Sequence, residues 1–266
     1  MSATSSMRLV INLDGITIRR RMGSLLTLCV ALFCSSGAAE EASSPTSIRN
    51  RTMLNQQQHP LTAPQKQTAA IAASAATGDI PALNAALHQG LDAGLTISDC
   101  REILVQLYAY AGFPRSLNAL AELMKVAEAR REQGKNDVEG NPPGPLPKPE
   151  EMLAVGTQNQ TTLAGGPVKG ALFDFAPAID SYLKVHLFGD IFSRDNLDWK
   201  SRELATVGAL AAMTGVESQL KAHLNISRNV GLTDAQLAEL VPLFESRGEQ
   251  NTAQRLQRAL ESGRAR

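Results

Sequence analysis

The chain of 266 residues has few cysteines, few aromatic residues and no excess of charge of either sign. Its 3 cysteines include no Cys-x-x-Cys pair, which excludes a dithiol redox site of that form. Aromatic residues make up 4% of the sequence, too few to favour a surface on which single-stranded bases stack. Lys plus Arg and Asp plus Glu number 26 each, so the sequence predicts no nucleic-acid partner. No cluster of His, Asp and Glu has the spacing of metal ligands, and we expect no metal.

The first 39 residues have the pattern of a secretory signal. Arg19–Arg21 precede an apolar run over residues 25–34, and small residues follow as far as Ala39. The apolar run is shorter than the ~20 residues that span a bilayer. We therefore expect cleavage near Ala39 and a periplasmic or secreted protein with no membrane span in its mature part. A later start codon, lipid attachment through Cys34 and twin-arginine export remain open alternatives.

Composition divides the rest of the chain into four parts. Residues 40–60 are polar and rich in glutamine, which predicts a disordered tether. Residues 61–131 and 151–266 are rich in Ala and Leu, and we expect each range to form one helical repeat. Five prolines within residues 132–150 predict an extended linker between the two repeats.

The two repeats are related by an ungapped offset of 137 residues, the difference between Gly94 and Gly231. The hydrophobic positions are shared, whereas one ionisable pair is not: His223 corresponds to Ala86, and Glu203 corresponds to Lys66. This difference indicates where chemistry is located. The residues repeated in this way are Leu83, Ala85, Leu87, Gly94, Leu95, Thr96 and Glu102, which recur as Leu220, Ala222, Leu224, Gly231, Leu232, Thr233 and Glu239.

Local patterns predict an all-α fold. Apolar residues recur at helical spacing between Ile103 and Tyr108, and no segment alternates with period two. The Thr214-Gly215 dipeptide predicts a turn between two helices that carry Glu203 and His223. These two residues lie at comparable depths from the turn, so their side chains can meet if both face the interior.

An ordered set of motifs resembles the carboxymuconolactone decarboxylase family over about residues 65–260. The resemblance implies the all-α alkylhydroperoxidase D-like fold, and it implies assembly into trimers or hexamers. The motifs are Gly94-Leu95-Thr96, residues 106–115, Phe188-Gly189-Asp190-Ile191-Phe192-Ser193-Arg194, Arg202-Glu203-Leu204-Ala205, Gln219-Leu220-x-x-His223 and Gly231-Leu232-Thr233.

Two branches of that family imply two chemistries. The peroxidase branch uses a Cys-x-x-Cys pair, which this chain lacks, with Ser218 near the position of a family thiol. Without a thiolate there is no peroxidatic nucleophile. The decarboxylase branch uses no cofactor and implies a small carboxylated lactone or similar acid as substrate. In that reaction His223 is the expected proton donor, and Glu203 orients it or raises its basicity.

Four further residues are expected to bind the substrate. Arg194 and Arg202 have guanidinium groups suited to a carboxylate, and Tyr110 and His186 are expected to line the site. Plainer interpretations remain open for several of these residues. The imidazole of His223 can be a core residue, Glu203 can stabilise a helix N-terminus, and Arg194 can form a surface ion pair.

The chain also departs from the decarboxylase pattern, because Gln219 stands where the family has glutamate. The export signal is a second departure from an intracellular catabolic enzyme. The alternative function is a non-catalytic helical oligomer that binds a small molecule or a partner protein. An open polar cavity at Glu203 and His223 favours the enzyme, and a closed one favours the binding protein. Cys100 corresponds to Leu237 and is expected to be a small buried residue rather than a reactive thiol.

Overall fold

The structure is a computed structural model that describes residues 59–264. The predicted signal at 1–39 and nearly all of the predicted tether at 40–60 lie outside the described residues. Within 59–264 the chain is helical and contains no strand, so the predicted all-α fold class is confirmed. No helix in this described range is both long enough and apolar enough to pass through a bilayer.

The first repeat consists of four helices, whose ends are set by local capping residues. The side chain of Thr62 caps the first helix in a capping box with Gln65, and Asp79 caps the second. Gly78 adopts a left-handed φ of 75° between them, which favours glycine. The four helices are α1 (Ala63–Thr77), α2 (Ile80–Asp92), α3 (Ile97–Ala111) and α4 (Phe113–Glu132).

The second repeat has the same order of helices. Adding the offset of 137 to the ends of α2 reproduces the ends of α9. The third helix of this copy is interrupted at Glu239, and Pro242, which has no N–H and stands where the first copy has Val105, accounts for the break. The helices are α8 (Trp199–Ala212), α9 (Glu217–Asn229), α10 (Asp234–Ala238), α11 (Leu240–Ser246) and α12 (Gln250–Arg264).

The segment between the two sets of helices begins with residues 133–150, which form no helix. This proline-rich stretch lies along the start of α3, where the backbone N–H groups of Ile97 and Ser98 donate to the carbonyls of Val138 and Glu139. The chain then forms α5 (Met152–Ala164), α6 (Ala171–Phe175), α7 (Pro177–Tyr182) and a π-helical segment, Leu183–Ile191. No sequence pattern predicted the π-helical segment, a rare conformation that is often found at functional sites.

The two repeats pack together through their first helices, α1 and α8. Gly208 allows the close approach, because a Cβ at this position would lie 2.3 Å from the carbonyl oxygen of Ala69. The contacts are reciprocal: α3 of the first repeat packs on α8, and α11 of the second repeat packs on α1. Each repeat therefore supplies its third helix to the other, and polar side chains on those helices reach across the shared core.

Candidate functional site

The predicted pair, Glu203 and His223, is formed by the hairpin of α8 and α9. Nδ1 of His223 lies 2.9 Å from Oε2 of Glu203, and because a carboxylate only accepts, the Nδ1–H group donates. Glu203 is fully buried, while the His223 side chain keeps 10% of its surface exposed. The contact that the sequence predicted is therefore present. Its catalytic role remains a prediction.

Tyr110 of α3 brings the first repeat into this pair. Its ring meets the imidazole of His223 edge-on, with 5.4 Å between centroids and an angle of 80°. Burial, together with the nearby negative charge of Glu203, raises the pKa of the Tyr110 hydroxyl above its usual range. The phenol therefore stays protonated at all ordinary pH values. The prediction that Tyr110 lines the site agrees with this contact, and its binding of substrate remains a prediction.

The two arginines predicted to bind a substrate carboxylate both bind a carboxylate of the protein itself, Glu102. Arg194 donates to it through two groups, Nε at 2.8 Å and Nη2 at 2.6 Å, and Nη2 of Arg202 donates at 3.2 Å. Burial alone would raise the pKa of Glu102, but the hydrogen bonds and charges of Arg194 and Arg202 outweigh it and lower that pKa. Glu102 thus occupies Nε and Nη2 of Arg194 and accepts from Nη2 of Arg202, and the role of both arginines toward substrate remains a prediction.

Gln106 connects this ion cluster to the remainder of the site. Its side-chain amide donates to the carbonyl of Arg202 at 2.9 Å and to the hydroxyl of Thr206 at 2.7 Å, and its carbonyl oxygen accepts from Arg202. Glu102, Gln106 and Tyr110 are spaced four residues apart, so they share one stripe of α3. This buried polar stripe runs from the arginines to His223.

His186, the fourth residue predicted to bind substrate, lies on the π-helical segment. Its Nδ1 lies 2.6 Å from Oδ2 of Asp190, and its ring packs against that of Tyr108 at 5.4 Å between centroids. Half of the His186 side-chain surface is exposed. The structure thus assigns His186 to an exposed pair of its own rather than to the hydrogen-bonded pair of α8 and α9, and a role toward substrate remains a prediction.

The surroundings of Glu203 and His223 are closed in this structure. Both residues are buried, and neither lines any of four cavities found on the described part of the chain. A closed site favours the non-catalytic binding protein over the enzyme. The site is nevertheless polar: beside the imidazole it contains the Tyr110 hydroxyl and the Glu203 carboxylate, whose Oε1 is buried without a hydrogen-bond partner among residues 59–264.

Sequence reasoning missed four residues of this network. Glu102 was recognised only as a repeated position, and the spacing of four residues in α3, α8 and α9 is the signal that could have revealed the rest. The missed residues are Glu102, Gln106, Thr206 and Ser227. Cys100 is fully buried, and burial raises the pKa of its thiol to about 12, so it is not a thiolate. Among the described residues, no group of three potential metal ligands was found.

Comparison with known proteins agrees with this architecture. The sequence profile of the Carboxymuconolactone decarboxylase family matches residues 46–125 and again residues 177–260, once in each repeat. No individual curated protein matches the chain. Because the two matched segments together cover well over half of its length, the chain belongs to the carboxymuconolactone decarboxylase family as a tandem-repeat member.

Proposed function

We propose that the protein catalyses a cofactor-free decarboxylation of a small carboxylated lactone or similar acid, with His223 as the proton donor. The 2.9 Å hydrogen bond between His223 and Glu203 carries this proposal, since the first repeat lacks both residues. A buried carboxylate at Nδ1 fixes the orientation and the tautomer of the imidazole. Family membership supports the class of reaction.

The reaction requires the protein to hold the substrate and to supply one proton. The bond between the substrate ring and its carboxylate carbon breaks, and the electron pair passes into a conjugated lactone carbonyl as carbon dioxide leaves. The imidazolium of His223 then delivers a proton to the carbanion, becoming neutral beside Glu203. No cofactor is needed because the substrate's own carbonyl accepts the electron pair. Tyr110 holds the imidazole edge-on and limits its movement.

Of the two arginines, Arg194 is the better ligand for the substrate carboxylate. Its side chain keeps 26% of its surface exposed, whereas that of Arg202 is completely buried. Glu102 engages Nε and Nη2 of Arg194, whereas Nη1 makes no hydrogen bond with any residue of the described range. In this proposal Arg202 holds Glu102 in place and Arg194 presents its remaining donor.

The test is release of carbon dioxide by the full chain from carboxymuconolactone and related carboxylated lactones. His223→Ala should lower the rate about 100-fold or more, in line with the usual contribution of a positioned acid. Glu203→Gln should lower it less, because the imidazole remains. His59→Ala is the matched control, since this histidine is exposed and far along the chain from the pair. Release that is unchanged in His223→Ala would contradict the proposal.

A ligand-binding protein without catalysis is the second candidate. The observation that favours it is the closed surrounding of His223 and Glu203. This candidate predicts that calorimetry detects binding of a carboxylated lactone, that no carbon dioxide is released, and that His223→Ala weakens binding. Carbon dioxide release at a catalytic rate would exclude it.

We also propose that the protein is exported and that it self-associates. Cleavage near Ala39 predicts that the chain recovered from the periplasm or medium begins at about residue 40, which N-terminal sequencing would establish. Assembly into a trimer or hexamer predicts a sedimentation coefficient well above that of a 28.4 kDa monomer. A cytoplasmic chain with an intact N-terminus would contradict export, and a monomer over a wide concentration range would contradict assembly.

A further inference from the structure

Among the four cavities that Glu203 and His223 do not line, the largest lies at the turn between α1 and α2. Its volume is about 880 Å³, within the roughly 300–1,000 Å³ of sites for small molecules. Helices α11 and α12 of the second repeat complete its wall. Its polar and charged lining includes Ser74, Asp79, Arg247, Glu249, Thr252 and Arg255. The cavity is therefore large enough for a ligand, and residues of both repeats set its chemistry.

Arg255 is the cation of this cavity that forms no ion pair with a carboxylate in the described part of the chain. Its Nε and Nη2 donate to the carbonyls of Ala211 and Ala212, at 2.7 and 2.8 Å, where α8 ends. Its Nη1 makes no hydrogen bond with any described residue. The charges of Arg258 and Glu217 act on it in opposite directions. A guanidinium stays charged at ordinary pH, so Arg255 presents the cavity with a positive charge and a free donor.

The two carboxylates that line the cavity are engaged elsewhere. Oε1 of Glu249 accepts from Nε of Arg247 at 2.8 Å, so these two charges neutralise each other. Oδ1 of Asp79 accepts from the backbone N–H of Ala82 at 3.0 Å and caps α2. Asp79 is exposed, and solvent and salt therefore screen its charge. Neither carboxylate takes the free donor of Arg255.

Two hydroxyl groups on buried residues add donors to the same cavity. Thr252 is 5% exposed and Ser74 is 3% exposed. The Thr252 hydroxyl makes no hydrogen bond within residues 59–264. The Ser74 hydroxyl accepts from Nη2 of Arg247 at 3.0 Å, which leaves its own proton free to be donated. A polar side chain that is almost completely buried without a partner indicates a water, an ion or a ligand.

The backbone at the start of α12 supplies further donors. The N–H group of Ala253 donates to the carbonyl of Glu249, which is therefore the residue before the first turn. The N–H groups of Gln250, Asn251 and Thr252 have no acceptor among the described residues, and all three residues line the cavity. The helix has 15 residues, and the partial positive charge at its N-terminus favours an anion.

We propose that this cavity binds a phosphate group, either free phosphate or the terminal phosphate of a small molecule. Nη1 of Arg255, the hydroxyls of Ser74 and Thr252, and the first N–H groups of α12 are the donors. These donors come from both α1 and α12 and outnumber what the two oxygens of a carboxylate can accept, whereas a phosphate offers three or four oxygens. The remaining volume admits the organic part of a phosphorylated molecule. This site is separate from the proposed decarboxylation and does not depend on it.

The first test is calorimetric titration of the full chain with inorganic phosphate, glycerol 3-phosphate and acetate at low ionic strength. Both phosphates should bind with a dissociation constant of ~1 mM or lower. Acetate should bind about tenfold more weakly or not at all, because it leaves donors unpaired. The tighter of the two phosphates identifies the source of the group. Binding of neither phosphate, or acetate binding as tightly as both, overturns the proposal.

The second test uses matched variants in the same titration. Arg255→Gln should weaken phosphate binding about tenfold or more, since it removes a charge-assisted hydrogen bond. Arg258→Gln is the control, because it removes the same charge from an exposed position of α12 outside the cavity. Arg255 also holds the end of α8, so Thr252→Val is a second variant, and it should weaken binding about threefold. Equal weakening by Arg255→Gln and Arg258→Gln, or unchanged affinity in Thr252→Val, overturns the proposal.

Hydrogen exchange locates the bound anion. Phosphate should slow exchange in the peptide that contains residues 250–252. Exchange at Ile97 and Ser98 should not change, because their N–H groups at the start of α3 already donate to carbonyls of the linker. Slowing at the starts of both helices, or at neither, would contradict the site. Carbon dioxide release plays no part in these measurements, so failure of the proposed decarboxylation leaves their outcome unaffected.

Discussion

The two repeats share one framework of helices and differ in the polar residues that they place on it. The first two helices of the second repeat carry Glu203 and His223 in contact, whereas the corresponding residues of the first repeat are Lys66 and a fully buried Ala86. Lys66 instead pairs with Glu239 of the other repeat. A duplicated fold therefore preserves its apolar positions in both copies, while a polar site needs to be kept in only one.

The third helices show the same divergence. The stripe of Glu102, Gln106 and Tyr110 on α3 corresponds to Glu239, Leu243 and Arg247 in the second repeat. The Glu102 side chain is 2% exposed and binds a fully buried Arg202, whereas Glu239 and Lys66 keep 26% and 34% of their side-chain surfaces exposed. The buried cluster around Glu102 lies on the stripe that leads to His223, whereas Glu239 and Lys66 form an ordinary, partly exposed ion pair.

The largest effect is expected from Glu102→Ala. This change leaves the buried guanidinium of Arg202 without its carboxylate, and we expect the free energy of unfolding to fall by about 3–5 kcal/mol. Urea unfolding measures it, with Glu139→Ala as control because Glu139 and Arg101 form an exposed pair. If the two variants lose equal stability, the buried cluster is not what distinguishes the repeats.

Gly208→Ala tests the packing that joins the repeats. The added Cβ would lie 2.3 Å from the carbonyl oxygen of Ala69, so the two first helices must separate. We expect a loss of about 3 kcal/mol, the range for overpacking in a core. Gly166→Ala is the control, since an added Cβ there meets no atom within 4 Å. Equal stability of both variants would show that α1 and α8 separate without cost.

The pH dependence of stability should report the ion cluster on the third helix of the first repeat. The pKa of Glu102 is lower in the folded protein than its ordinary value of 4.5, because Arg194 and Arg202 favour the charged form over the opposing effect of burial. The stability that Glu102 contributes is therefore complete above pH 4.5 and is lost as the pH falls through the lower folded-state pKa. Glu102→Gln should unfold with a weaker dependence on pH below 4.5 than wild type. Identical pH profiles for the two proteins would contradict this assignment.

The smallest effect is expected from Lys66→Met. The pair of Lys66 with Glu239 is partly exposed, so we expect a change in unfolding free energy below about 1 kcal/mol. Carbon dioxide release should also be unchanged. A large loss of activity would mean that the first repeat contributes a second functional site, and the contrast between the repeats would fail.

Much of the fold was predictable because its signals are local. The Gly-Leu-Thr motif ends one helix and begins the next in both repeats: Gly94 and Gly231 adopt φ values of 100° and 93°, and Thr96 and Thr233 form capping boxes. The break in the third helix of the second repeat was missed, although Pro242 is its local cause. The boundaries predicted for the two repeats and for the linker between them remain predictions.

The site was predictable only in part. The hairpin turn at Gly215 and the helical rise allowed a contact of His223 with Glu203 to be predicted on the condition that both side chains face the interior, because depth in a hairpin depends only on distance along the chain. Arg194 and Arg202 were recognised as a carboxylate-binding pair, but the carboxylate that they bind is about one hundred residues away, on α3. A local sequence pattern cannot predict a contact between residues of different repeats.

The sequence by itself determined the all-α fold, the duplication and the asymmetric pair of Glu203 and His223, because helix periodicity, capping and an ungapped repeat are properties of short segments. Only the tertiary structure decided that Glu102 binds both arginines and that Tyr110 meets the imidazole edge-on. These features depend on how closely the first helices of the two repeats approach. That approach depends on the missing side chain of Gly208, which lies against the backbone of Ala69, a residue far away in the sequence.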